Sequence, residues 1–344
     1  SSTIANYYSL RLLMMWLLYL YIVSHRVSHR AIALVFVSAL AVHSLVAVAQ
    51  FLLQQPLGLS ALGEVAVAET TPGAWLRGYG LGPHPNILGG FLFVALNATV
   101  GLAVVGTRRW FTLAALSLNT AGLLATFSRS AWLATLAVSL IGLLAAQRVA
   151  NWRRVHGKDI GLVVLTVAAV VAVFAVFNWN LLTTRLWLPA IGALTGRQQP
   201  GGALEQQVIE SRLASQNIAI QLIRRRPLLG VGSGNFILGA YHMLGTSSAR
   251  YVPVHNTVVM VTAELGLLGG ALWTALTISP LILMWTRAPR LAHPVWAAVW
   301  TASWLGLSII GLFDFYLWGW HQGRLLAWLL LGLWANAVLD LPSR

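Results

Sequence analysis

The chain contains no cysteine. That absence excludes disulfides, thiol catalysis and cysteine-ligated zinc, and says nothing about redox compartment. Charge is also scarce: 9% of residues are Asp, Glu, Lys or Arg, against about 25% in an average soluble domain. With 58% hydrophobic residues and a mean hydropathy of +0.75, this excludes a disordered chain and an ordinary soluble enzyme. Acidic residues are rarer still, 8 against 22 basic ones, for a formal net charge of +14. Lysine is nearly missing. Lys158 is the only one, so the basic excess is arginine. No HExxH or comparable spacing is present, so neither a metal nor another cofactor is expected.

What remains is apolar runs, repeated from end to end. They predict an all-α, polytopic transmembrane bundle with nine spans, at roughly 4–23, 31–53, 86–105, 110–127, 131–147, 160–180, 267–285, 294–313 and 325–339. Backbone groups in lipid must be satisfied within their own segment, which makes the spans helices. Trp110, Trp179, Trp285 and Trp318 suit the headgroup belt at span ends.

Orientation follows from the basic residues in short loops. One set of loops holds Arg26, Arg30, Arg108, Arg109, Arg148, Arg153, Arg154, Lys158, Arg287, Arg290 and Arg344; the opposite short loops hold only Arg77, Arg129 and Arg324. The positive-inside rule places the first set in the cytoplasm. Segment 181–254 and residue 1 then fall outside. With no initiator methionine and Arg11 inside the first apolar run, the start does not read as a signal peptide. The chain is expected to begin inside a longer protein. The whole of 1–344 reads as one integral membrane domain, with 181–254 as a long periplasmic or extracellular loop between spans.

That loop carries Arg185, Arg197, Arg212, Arg224, Arg225, Arg226 and Arg250, on the side where arginine is disfavoured. A solvated basic surface is one explanation. A phosphate clamp is the sharper one, because the guanidinium fork matches phosphate oxygens in pairs. Within the loop, 203–225 predicts an amphipathic helix with Arg212 in the middle of its apolar side. Pro227 ends it, and GVGSGNF (230–236) follows; without a βαβ context this is a weak nucleotide loop. From His255 to Trp285 a single helix would run about 46 Å, longer than a bilayer core of about 30 Å. Gly266, Gly269 and Gly270 offer a break, so a short outer or re-entrant helix, 256–264, is expected before the span. Asn256 would stand at its N-cap, and Glu264 would turn towards the bundle. Glu264 and Asp314 are the acidic residues nearest the spans; each should meet a partner or a cavity. His84 reads as a cap for the span opened by Pro85 and Asn86.

Four motifs occur in order: Arg77 with Gly-Pro-His-Pro-Asn ending at Asn86, Thr-Phe-Ser-Arg-Ser-Ala at 126–131, Arg212 followed by Pro-Leu-Leu-Gly-Val-Gly-Ser-Gly-Asn-Phe, and His255-Asn256 with Glu-Leu-Gly-Leu-Leu-Gly from Glu264. Together they resemble the bacterial O-antigen ligase and O-antigen polymerase superfamily over about residues 70–340. The resemblance implies a membrane glycosyltransferase of the GT-C type, usually with about twelve spans; three spans before Ser1 would complete the nine. It implies transfer of a glycan from undecaprenyl diphosphate to an acceptor hydroxyl at the outer face of the bacterial cytoplasmic membrane. It implies His255 as the catalytic residue and Arg212 and Arg129 as diphosphate ligands, with Arg77, Asn86, Asn256 and Glu264 in support. The expected partners are the carrier-linked donor, a lipid- or glycan-linked acceptor and membrane lipids, with no nucleic acid.

The residues suit that chemistry on their own terms. A diphosphate leaving group needs fixed positive charge, and an acceptor hydroxyl needs a base titrating near neutrality. One displacement would invert the anomeric centre. A polymerase of the same superfamily is the alternative. A lipid-linked glycan flippase would also use outer arginines, but inverted repeats would be expected, and none is evident. A purely structural membrane protein leaves the arginine clustering unexplained.

Overall fold

The computed structural model describes residues 2–25, 27–65, 75–148, 152–187, 202–244, 252–287, 291 and 293–339. Thirteen α-helices are found among them. They are α1 (Ser2–Ser24), α2 (His29–Leu53), α3 (Pro85–Val104), α4 (Arg109–Ala125), α5 (Arg129–Arg148), α6 (Trp152–Phe177), α7 (Trp179–Leu182), α8 (Gly202–Arg225), α9 (Phe236–Leu244), α10 (Thr257–Arg287), α11 (Pro294–Gly311), α12 (Tyr316–Gly319) and α13 (His321–Leu339). The protein is a polytopic helical membrane bundle. Each of the nine expected spans coincides with one helix. Six of these helices (α1, α2, α3, α10, α11 and α13) are long and apolar enough to cross a bilayer, while Arg129–Gly142 and Gly161–Phe177 are shorter apolar stretches. The expectations resting on Arg26, Arg197, Arg250, Arg290 and Arg344 lie outside the described residues, as do those on the side chains of Arg148, Arg153, Arg154, Lys158, Arg185 and Arg287.

Helix α3 is the hub. It is apolar on every side and buried along most of its length, packed by α2, α4, α5 and α11. A helix without a polar face has to be central. Small residues let backbones approach: Ser44 of α2 lies against Gly122 of α4 and donates to Asn119 Oδ1 over 3.1 Å, the kind of contact that associates helices in lipid. Ser28 caps α2, accepting from the Ala31 N–H. His84 Nδ1 caps α3 by accepting from the Asn86 N–H over 3.1 Å, with Pro85 in the first turn.

The break expected after His255 falls at Gly266. Its backbone (φ 74°, ψ −176°) interrupts α10. A Cβ there would stand 2.1 Å from the Leu228 carbonyl oxygen, so both the conformation and the space require glycine. The expected amphipathic helix is α8. Its buried stripe runs Ser215, Ala219, Leu222, and packs on α10. Arg212 extends that stripe by one turn.

Candidate active site

Arg77 is delivered to the site by two glutamines one turn apart at the end of α2. Gln54 exchanges hydrogen bonds with the Leu76 backbone, donating to its oxygen over 3.1 Å and accepting from its N–H over 2.9 Å. Gln50 accepts from the Tyr79 and Gly80 N–H groups and donates to the Gly80 oxygen. Glu64, buried, accepts from Gln50 and from the Leu57 and Leu59 N–H groups, closing the preceding loop on itself. The 75–80 strap therefore lies flat across the end of α2. Gly78 has no room for a side chain against Ala47, and its N–H donates to the Ala125 oxygen over 2.9 Å.

From that strap the Arg77 guanidinium donates through Nε to the Thr126 oxygen over 2.7 Å, and through one terminal nitrogen to Asn86 Oδ1. It opens into a cavity of about 420 Å³. Arg129, at the start of α5, and Arg212, on α8, line the same cavity, together with Asn86, Ser130, Trp75, Phe127 and Phe313. Burial lowers the Arg77 pKa to about 10; Arg129 and Arg212 push the same way, and Asp314 opposes them. The group remains cationic at neutral pH. Three mutually repelling guanidinium groups around one cavity are arranged to take an anion with several oxygens.

A second network fixes the far wall. Asn86 Nδ2 donates to Asp314 Oδ2 over 2.7 Å, and the Phe315 N–H donates to Asp314 Oδ1 over 2.8 Å. The Asp314 backbone oxygen accepts from Thr257 Oγ1 over 2.8 Å, and Asn256 Nδ2 donates to the Leu312 oxygen over 3.1 Å. The 312–315 corner thus ties the start of α3 to the start of α10. Asn256 caps α10 with its own Oδ1, which accepts from the Val259 N–H, so the helix start does not rely on the His255 ring. His255 is not part of the cavity wall. Its ring stands edge-on to Phe315, with centroids 5.3 Å apart. Its Nδ1 is buried and makes no hydrogen bond of normal geometry. Burial and then Arg212 lower the His255 pKa, against weaker opposing contributions from Asp314 and the Pro253 carbonyl. Burial, then Arg77, lower His84 to about 4. Both rings are neutral at neutral pH.

Glu264 is elsewhere. Its carboxylate accepts from the Gly234 N–H (2.7 Å), the Phe236 N–H (3.1 Å) and Trp318 Nε1 (2.8 Å). The glycine-rich 230–236 loop wraps this carboxylate, which does not line the cavity. The structure thus brings Arg77, Asn86, Arg129 and Arg212 to one cavity, ties His255 and Asn256 to the 312–315 corner behind its Phe313 wall, and leaves Glu264 out of its lining. Sequence reasoning did not single out Gln50 and Gln54, and it left the partner of Asp314 open; the only signal was the cost of a carboxylate so close to lipid.

Residues 112–274 match a protein family described as O-antigen ligase. The matched segment runs from α4 into α10 and contains Arg129, Arg212, His255 and Glu264; Arg77, Asn86 and Asp314 lie outside it. No curated protein matches the chain.

Proposed function

The chain belongs to the O-antigen ligase and polymerase superfamily, and from that premise we propose that it transfers a glycan from undecaprenyl diphosphate to an acceptor hydroxyl at the outer face of the bacterial inner membrane. The observation that carries this reading is the single cavity lined by Arg77, Arg129 and Arg212. In the reaction the acceptor oxygen attacks the anomeric carbon, a new glycosidic C–O bond forms, and the bond from that carbon to the diphosphate oxygen breaks. The carrier diphosphate leaves with the electron pair. The arginines hold its developing charge from fixed positions, which avoids reorganisation in the transition state. His255, neutral and beside Arg212, takes the acceptor's proton. One such displacement inverts the anomeric centre.

An apolar slot of about 360 Å³ supports a lipid-linked donor. It lies between α2, α4 and α6, lined by Val48, Phe51, Ala121, Val173, Phe174 and Phe177. Phe51 packs edge-on to Trp75 at 4.3 Å and stacks on Phe127 at 6.1 Å. Since Trp75 and Phe127 line the arginine cavity, one aromatic wall separates an apolar slot from a cationic one, as a diphosphate with a hydrocarbon tail requires.

The test is to give the purified, lipid-reconstituted protein a polyprenyl-diphosphate-linked glycan and follow release of the free carrier diphosphate. No release with any acceptor, in protein that binds the donor, would refute a transferase. Following a labelled glycan in membranes separates the two forms of the activity: label on a lipid-anchored acceptor identifies a ligase, and label in longer glycan chains identifies a polymerase.

A further inference from the structure

We propose that the corner joining α8 to α9, Arg224-Arg225-Arg226 followed by Leu228-Leu229, is a docking surface for anionic phospholipids of the bilayer in which the protein sits. The inference rests on the reading that α10 enters the membrane at Gly266.

The corner combines two features that water alone does not reward. Leu228 and Leu229 are consecutive, outside any helix, and 73% and 80% exposed. Arg224, Arg225 and Arg226 precede them, with only Pro227 between. All three are exposed, and Arg226 makes backbone hydrogen bonds to Leu222 and Gly230, which leaves the three guanidinium groups to face outwards. No acidic residue occurs between Glu210 and Glu264 to neutralise them.

The depth of the corner is fixed by its attachment to α10. The Leu267 N–H donates to the Pro227 oxygen over 2.7 Å, the Val231 N–H to the Ala263 oxygen over 3.1 Å and the Gly232 N–H to the Glu264 oxygen over 2.8 Å. Leu228 packs its carbonyl on Gly266 itself. Beyond the break, 267–287 supplies 21 residues of continuous helix, about 31 Å at 1.5 Å per residue. That equals the hydrocarbon thickness of about 30 Å. Leu267, Leu268 and Leu272 are exposed on this stretch, 54%, 65% and 63% respectively, as lipid-facing residues should be. The break therefore marks the hydrocarbon boundary, and the corner bolted to it lies at the same level. There the leucines enter the acyl region while the guanidinium groups lie among the headgroups, where their forks match lipid phosphate. Helix α8 carries Arg212 twelve residues before Arg224, about 18 Å along its axis, so the corner tethers the element that presents a cavity arginine.

The absence of cysteine allows a direct test. Single variants Leu229→Cys, Leu268→Cys and Leu213→Cys, labelled with an environment-sensitive fluorophore, are placed in nanodiscs of phosphatidylcholine and phosphatidylglycerol. Leu213, 59% exposed on α8, is the water reference and Leu268 the lipid reference. We expect position 229 to be quenched by lipid-borne spin label like 268 and shielded from iodide unlike 213. Spin-labelled phosphatidylglycerol should quench 229 more than spin-labelled phosphatidylcholine, on the scale of roughly fivefold enrichment per arginine at low salt. That preference should vanish in high salt and in the Arg224→Gln, Arg225→Gln, Arg226→Gln triple variant. Iodide access at 229 with lipid quenching intact at 268 overturns the docking alone. Loss of lipid quenching at 268 overturns the boundary and the docking with it. Equal quenching by both lipids overturns the anionic preference, and the salt comparison on the unsubstituted arginines reads this even if the triple variant misfolds.

Discussion

Asn86 and Asp314 stand 228 positions apart in the chain, yet the Asn86 amide donates to the Asp314 carboxylate over 2.7 Å. The other end of the same amide accepts from Arg77. An amide is the only neutral side chain of this size that can face a carboxylate with one end and a guanidinium with the other. Asn86→Leu should therefore leave Asp314 short of a partner and free Arg77 to move. We expect a stability loss of about 1–3 kcal/mol and weaker binding of carrier diphosphate, read by thermal unfolding in detergent and by a binding titration. Unchanged donor affinity in this variant would remove Asn86 from the site.

The cavity arginines make a charge-versus-geometry prediction. Arg212→Lys keeps the charge but not the fork; transfer should drop by about 10²-fold or more, the scale of losing one fixed donor to a developing anion. Arg212→Ala and Arg129→Ala should each weaken carrier-diphosphate binding. Normal affinity in both alanine variants would contradict a shared diphosphate site.

The proposed role of His255 fixes the sign of a pH dependence. Burial and Arg212 lower its pKa from 6.5. A lowered pKa keeps the ring neutral, and able to accept a proton, to a more acidic pH. Transfer should thus hold down through pH 6.5 and fall only below it. His255→Ala should lose about 10²–10⁴-fold in turnover while donor binding persists. Because Asn256 already caps α10, His255→Asn should be equally impaired. Near-normal transfer by that variant, or a profile that collapses above pH 6.5, would exclude the imidazole as the base.

Arg129 and Arg212 were legible because each violates a local rule: one is an arginine in a connector between spans too short to be a free loop, the other is an arginine in line with an apolar helical stripe. Single residues carry such signals without knowledge of the fold. The break at Gly266 was legible for a similar reason, since helix length exceeded bilayer thickness. The partners were not legible. Asp314 and Asn86 meet only because α11 packs on α3, and Gln50 and Gln54 are uncharged amides that could equally have faced headgroups. Glu264 was read as turning towards the bundle, but its partners are backbone N–H groups 28 and 30 residues earlier and an indole 54 residues later, which no spacing encodes.

Topology can be tested without any ligand. The arginine bias places 148–159 in the cytoplasm and 181–254 outside. A cysteine introduced into each segment should react with an impermeant thiol reagent only in the second, in intact cells. Labelling of the first from outside would invert the orientation, and the proposed outer face with it.

Glu264 separates a structural carboxylate from a catalytic one. It is 1% exposed and accepts three hydrogen bonds, two of them, from Gly234 and Trp318, on the same oxygen, Oε2. In Glu264→Gln the new amide has one acceptor oxygen and one donor nitrogen. Whichever way it turns, at least one N–H of the 234–236 loop or of Trp318 faces another donor. An unmet buried donor costs about 1–3 kcal/mol, and loss of the charge-assisted bonds adds to it. The 230–236 loop should loosen, since it is held to α10 by this carboxylate and by the Ala263 and Glu264 carbonyls alongside it. We therefore expect lower thermal stability and faster hydrogen exchange at Gly234 and Phe236, with donor affinity changed far less than in Arg212→Ala. Full stability together with abolished donor binding would reverse the assignment and place Glu264 in the site.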